Sequence, residues 1–168
     1  MSLSMYQASV PVFTRALGNL SNILDKGAAY AESRKIDPSV LVNARLAPDM
    51  FPLSKQVQIA TDMALRGSAR LAGVDFTNMP DTEATFPELQ ARLSKTLAFV
   101  KSLTASQIDG SEAKPITIKV GPNDMTFTGQ DYLLNFVLPN LYFHITAAYL
   151  ILRHNGVELG KMDFLGAI

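Results

Sequence analysis

The stretch Gly129-Gln-Asp-Tyr-Leu-Leu-Asn-Phe-Val-Leu-Pro-Asn-Leu-Tyr-Phe-His-Ile-Thr-Ala-Ala-Tyr-Leu-Ile-Leu-Arg-His154 decides the fold. Leu134, Leu138, Leu141, Ile145, Ala148 and Leu152 recur at steps of three and four, which places them on one face of a helix from about 129 to about 154. Phe143 and Leu150 point almost the other way. A helix that is apolar on two sides is either central or covered by a second subunit. Pro139 removes a ladder bond and crowds the preceding turn, so a break or bend is expected there.

Working back toward the N-terminus, Pro115-Ile-Thr-Ile-Lys-Val120 alternates strictly, turns at Gly121-Pro-Asn-Asp124 and resumes as Met125-Thr-Phe-Thr128, the pattern of a small hairpin. Before it, Leu89, Leu93, Leu97 and Val100 mark a helix over about 86–103, with Pro87 in its first turn. A second helix runs over about 53–71, with Leu53, Val57, Ala60, Ala64, Gly67 and Leu71 on one face and Gln58, Asp62 and Ala69 roughly opposite. Gly73 is placed to end it. Asp37-Pro38-Ser39 starts a short helical run at 40–46, which Pro48 and Pro52 confine. The first helix spans about 5–32 on Val10, Phe13, Leu17, Leu20 and Leu24, and Pro11 predicts either a short turn ending near Ser9 or a kink. Four amphipathic helices with no repeat and no linker predict a single all-α domain over 1–168, an antiparallel four-helix bundle with a small β-hairpin between helices three and four.

Composition narrows the function classes. Lysine plus arginine and aspartate plus glutamate each total 15, which leaves no surplus positive charge to neutralise a phosphate backbone, so no nucleic-acid partner is expected. Without cysteine the chain offers no disulfide, thiolate nucleophile or cysteine-ligated metal. The opening residues lack the pattern of a secretory signal, and the greasiest stretch, 141–152, is shorter than the about 18 apolar residues of a membrane span and carries His144 and Thr146. The expectation is a cytoplasmic protein with no membrane partner.

The stretch His144-Ile-Thr-Ala-Ala-Tyr-Leu-Ile-Leu-Arg153, followed by Gly156, resembles the final-helix pattern of the DinB-like (YfiT-like) superfamily. The ending Arg153-His-Asn-Gly-Val-Glu-Leu-Gly-Lys-Met-Asp-Phe-Leu-Gly166 resembles its uncharacterised branch, a domain of unknown function. The resemblance implies a four-helix bundle, usually a homodimer, often with a divalent metal between a histidine of helix two and an H-x-x-x-H pair of helix four. In this register His144 matches the second histidine of the pair and Asn140 stands at the first, while helix two offers Gln56, Gln58 and Ala60 in place of a histidine. A neutral carboxamide is a weak ligand for the borderline ions that imidazole suits. No cofactor is therefore expected, and if a divalent metal is held, His144 is its ligand.

The inherited cavity is expected to persist as a polar pocket lined by His144, Asn140, Gln56 and Tyr149, with Asn140 as the natural hydrogen-bond partner of His144 four residues on. Periodicity favours Gln56 over Gln58 as the residue facing it. Arg153, His154, Asn155, Lys161 and Asp163 form the densest polar cluster, readable as an anion site. The mechanical alternative closes helix four with Asn155-Gly156 and pins the tail across the bundle with Phe164-Leu165. The carboxylate pairs Asp75/Asp81 and Glu83/Glu88 read as solvated loop charges, and no serine stands in a nucleophile elbow. The function itself stays unassigned. The reading preferred here is a dimeric bundle with a degenerate metal site that binds a small molecule or is structural, without catalysis. The alternatives are a metal-dependent hydrolase or thiol-dependent transferase using His144, and a protein-interaction module.

Overall fold

The computed structural model describes residues 3–166. Helix α1 spans Met5–Arg34, and its first turn is closed by a capping box in which Gln7 N–H donates to Ser4 Oγ while Ser4 N–H donates to Gln7 Oε1. It runs unbroken through Pro11, so no short turn ends at Ser9. The proline removes one ladder bond, and the buried residues on either side of it, Val10 and Phe13, hold the helix to the core. Helix α2, Pro38–Val42, is capped by Asp37, which accepts from Ser39 N–H, and it stops short of Leu46. Helix α3, Leu53–Ala72, ends at Gly73 in the left-handed conformation. Helix α4, Phe86–Ser102, opens with a capping box between Thr85 and Glu88. A single turn, α5 (Ala105–Ile108), leads into the hairpin of β1 (Pro115–Val120) and β2 (Asn123–Thr128).

Val120 pairs with Asn123, so the hairpin turns on the two residues Gly121-Pro122 rather than on the four expected. Ile116 and Ile118 of β1 are buried, and this face of the hairpin closes one end of the core. The last bundle element is one continuous helical run of three parts: α6 (Gly129–Asp131), a π-helical segment (Tyr132–Val137) and α7 (Leu138–His154). The break or bend expected at Pro139 is replaced by this π segment. In it Leu138 N–H reaches back to Leu133 O, and the wider turn immediately before the proline absorbs its missing donor and its ring. The widened turn is packed tightly against α3. A Cβ on Gly67 would stand 2.6 Å from Val137 Cγ1, so only glycine admits the approach.

Helices α1, α3, α4 and α7 enclose the core, with Phe13, Leu17, Leu20, Leu24, Val57, Leu89, Leu93, Leu141 and Leu152 fully buried. The architecture is the helical bundle with a two-stranded hairpin between its third and fourth helices. Two sides of α3 are buried. Besides the predicted stripe, Gln58, Asp62 and Ala69 are buried; Gln58 donates to Glu83 of the segment at 74–85, and Asp62 pairs with Arg92 of α4. The 26-residue run Gly129–His154 is long and apolar enough, by length and composition, to cross a membrane, which differs from the expectation based on 141–152 alone. Here one side of it packs on α3 as a bundle helix does. The final short helix α8, Lys161–Leu165, lies along α1.

Candidate functional site

Helix α3 carries polar side chains into the protein on two sides. On the side facing α7, Gln56 is 1% exposed and its Oε1 lies 2.7 Å from His144 Nδ1. The amide is oriented independently, because Gln56 Nε2 donates to Phe51 O at 3.1 Å. With its nitrogen so engaged, Gln56 presents oxygen to the imidazole, and His144 Nδ1 must carry the proton. Burial pushes the His144 pKa below its usual value, so the ring is held neutral. Nε2 is left as a bare lone pair, with no hydrogen-bond partner among the described residues, although the side chain is 9% exposed.

Of the other residues expected in this pocket, Asn140 donates from Nδ2 to Phe136 O at 2.6 Å and does not pair with His144. The correction has a local cause: residue 140 sits one turn after the π segment and satisfies a carbonyl of that segment. Tyr149 is also elsewhere. Its hydroxyl lies 3.5 Å from Leu159 O and its ring meets Phe164 edge-on at 6.2 Å, so its partners belong to the C-terminal tail.

Beside the imidazole stands Phe143, perpendicular to it with ring centroids 5.2 Å apart and 58% exposed. Phe143 belongs to the lining of an open groove of ≈ 380 Å³ between α7 and the α2–α3 connection, together with Leu46, Met50, Pro139, Ala147, Leu150 and the hydroxyl-bearing Tyr142 and Thr146. The walls are largely apolar. The loop reaches the groove through Met50, one residue before the Phe51 carbonyl that orients Gln56, so one short segment supports both features.

On its other side, α3 meets Arg92, which is 2% exposed and projects from α4. Its Nε donates to Thr61 Oγ1 at 2.8 Å, Nη2 to Asp62 at 2.7 Å and Asp81 at 3.1 Å, and Nη1 to Glu83 at 3.2 Å and Pro80 O at 3.0 Å. Burial raises the Asp62 pKa against the opposing pull of Arg66 and Arg92. Asp81 lies below its usual value through Lys55 and Arg92, which outweigh its burial. Asp81 and Glu83 are therefore not simply solvated, as expected for loop carboxylates. They tie the 74–85 segment to the helices, while Glu88 serves as the cap of α4 and Asp75 is exposed. This cluster is closed: each face of the guanidinium fork has a partner.

The polar C-terminal cluster resolves into the mechanical arrangement. Gly156 takes φ +94° after α7, Val157 N–H donates to Leu152 O, and Val157 is buried. Lys26 pairs with Asp163 at 2.6 Å, and Asn19 and Arg15 donate to the carbonyls of Phe164 and Leu165. His154 is exposed.

The sequence model of a family described as a domain of unknown function (DUF1993) matches residues 5–165. The chain belongs to the DUF1993 family. A solved structure of a DinB family member protein from Shewanella denitrificans is 42% identical and superposes with a TM-score of 0.86, covering 97% of this chain and 92% of that one. No curated protein matches the chain. This DUF1993 protein is thus a DinB-like helical bundle, and neither comparison carries an assigned activity.

The metal that the superfamily resemblance implies does not fit this DUF1993 site. At the three matching positions stand one imidazole and two carboxamides; Gln56 oxygen is engaged by His144 and Asn140 nitrogen by Phe136 O. Among the described residues no group of three histidine, aspartate or glutamate side chains is placed to hold a metal ion. The donor chemistry supports no metal-dependent step. Arg92 escaped the sequence reading altogether. Its signal was its place three residues after Leu89 and beside Leu93, a cation on the buried stripe of helix three that requires paired acids.

Proposed function

We propose that this DUF1993 protein is a non-catalytic, cytoplasmic, homodimeric binding bundle that takes up a small, mainly apolar molecule in the groove beside His144. The observation that carries the reading is a largely apolar groove of ≈ 380 Å³ lined by Phe143, whose ring packs edge-on against the imidazole of the buried His144–Gln56 pair. A volume of that order suits a small ligand. Of the residues expected beside the pair, Asn140 is turned to Phe136 and Tyr149 to the tail, so neither supplies the second group that acid–base or nucleophilic chemistry requires.

The dimer rests on a different observation. Leu134, Phe143 and Leu150 are exposed large apolar residues on one helix, at 45%, 58% and 39%, and a second copy covering them would remove this surface from water. Such a copy would also roof the groove. Light scattering should give twice the chain mass, and Phe143→Glu should return the protein to one chain mass; a monomeric wild type would refute the assembly.

The binding reading is tested by a thermal-shift screen of small molecules on untagged protein, with elemental analysis of the same sample and of His144→Ala. Stabilisation by particular molecules, lost in Phe143→Glu, is the expected outcome. Metal near one per chain that disappears in His144→Ala would overturn the reading in favour of a metal-dependent enzyme.

A further inference from the structure

The crossover from α3 to α4 reads Val74-Asp-Phe-Thr-Asn-Met-Pro-Asp-Thr-Glu-Ala-Thr85, a polar stretch in which Phe76 and Met79 are the large apolar side chains after Val74. It has little to bury. None of residues 75–85 is buried, and none belongs to the hydrophobic core or packs against it. Among the described residues, 75–83 make no backbone–backbone hydrogen bond. The hold comes from side chains and is concentrated at 80–83. Lys55 of α3 pairs with Asp81, Gln58 of α3 donates to Glu83, and Arg92 of α4 donates to Pro80 O, Asp81 and Glu83. Earlier in the segment, the Arg70 guanidinium lies 5.8 Å from the centroid of the Phe76 ring.

The segment is also not packed down along its length. A recess of ≈ 400 Å³ lies between it and the helices, lined by Leu65, Phe76, Thr96 and Phe99, and a second of ≈ 240 Å³ is lined by Pro80, Glu83, Ala91 and Arg92; Met79 and Lys95 line both. A stretch with few apolar contacts and no backbone ladder opens at a lower free energy than the core beside it. We propose that the crossover is a releasable strap, which detaches from α3 and α4 while the bundle stays folded. With the strap lifted, Arg92 keeps Thr61, Asp62 and the Gln58 carbonyl and loses Pro80, Asp81 and Glu83. The opened form therefore presents a guanidinium to solvent and, with Met79 withdrawn, joins the two recesses into one cleft. Asp81 is the latch, because it alone of the strap residues is shared between a cation of α3 and a cation of α4.

The chain has no cysteine of its own, so a single introduced thiol reports opening at a chosen place. Thr96→Cys puts one in the larger recess, where Thr96 is 1% exposed, and Ala148→Cys puts one in the core, where Ala148 is 0% exposed. Labelling by a chromogenic disulfide reagent is followed at rising urea below the unfolding transition. Thr96→Cys should label at least about tenfold faster than Ala148→Cys and with little dependence on urea, because local opening exposes little surface, whereas the Ala148→Cys rate should climb with urea as global unfolding does. Adding Asp81→Asn should raise the Thr96→Cys rate about tenfold, the equivalent of one charge-assisted hydrogen bond. Leu65→Cys, in the same recess, takes the place of Thr96→Cys if that variant does not fold. Equal rates and equal urea dependence at the recess and the core would overturn the proposal, since the crossover would then open only with the whole bundle. Fast labelling at the recess that Asp81→Asn leaves unchanged would overturn it too, since the thiol would be reached with the strap in place.

Discussion

Two polar clusters hang from opposite sides of α3, and they differ in one respect that decides what each does. Around Arg92, three carboxylates, a threonine hydroxyl and two backbone carbonyls meet a single guanidinium, and its donor directions are all engaged. Around His144 there is, among the described residues, one hydrogen-bond partner, Gln56, and one nitrogen left over. A closed network rigidifies and offers nothing to a ligand; an open one holds a group in a fixed state and leaves a directional vacancy. The ion pairs around α3 gather in the closed cluster, while the open one holds a neutral imidazole and a carboxamide.

The largest effect should come from opening the closed cluster. Arg92→Ala strands Asp62, Asp81 and Glu83 together and should destabilise by about 3–5 kcal/mol, measured by urea denaturation, the usual range when one partner of a buried pair is removed. Arg92→Lys keeps the charge but loses the fork, so it should recover only part of this. A loss below about 1 kcal/mol for Arg92→Ala would mean that the segment at 74–85 is held by something else.

Next in size is Gln56→Ala, which leaves His144 Nδ1–H without its acceptor and should cost about 1–3 kcal/mol in the same assay. His144→Phe removes the donor and the lone pair together and should cost less than Gln56→Ala, since it strands only one amide oxygen. The reverse order would say that the pair is a structural bridge like Arg92 and not a poised site.

The pH response separates the clusters further. The folded His144 pKa lies below its unfolded value near 6.5, so its contribution is complete above about pH 6.5 and is lost as the pH falls toward the folded value. The wild type should therefore lose stability below pH 6.5 relative to His144→Phe, in parallel thermal melts. The depressed Asp81 acts lower: its contribution is present above its unfolded value near 3.9 and lost as the pH falls through the folded one. Smallest of all, Phe143→Glu should change monomer stability by under about 0.5 kcal/mol, because the side chain is mostly exposed, while altering chain mass by light scattering.

The bundle was legible because its helices are written at the period of the helix, and caps such as Asp37-Pro38 and Gly73 mark their ends. Pro139 misled because proline's local effect is unambiguous, while its remedy, a widened turn seated on Gly67 of another helix, is a tertiary arrangement. The site was legible in part. Periodicity separated Gln56 from Gln58, yet the spacing of Asn140 and His144 suggested a pair that the helix does not form, since the Asn140 amide has a nearer carbonyl in its own turn. Tyr149 was drawn elsewhere by a tail whose path no local pattern encodes. Arg92 lay hidden because its acids come from 30 residues before it in α3 and from a loop that reads as solvent-exposed.

The central claim is that His144 is a neutral, fixed-tautomer acceptor, and a long-range ¹H–¹⁵N correlation spectrum of the imidazoles at neutral pH tests it most directly. The account predicts a His144 ring protonated on Nδ1 alone, with Nε2 unprotonated, and a mixture of tautomers in Gln56→Ala. A ring carrying its proton on Nε2, or both protons at neutral pH, would contradict it.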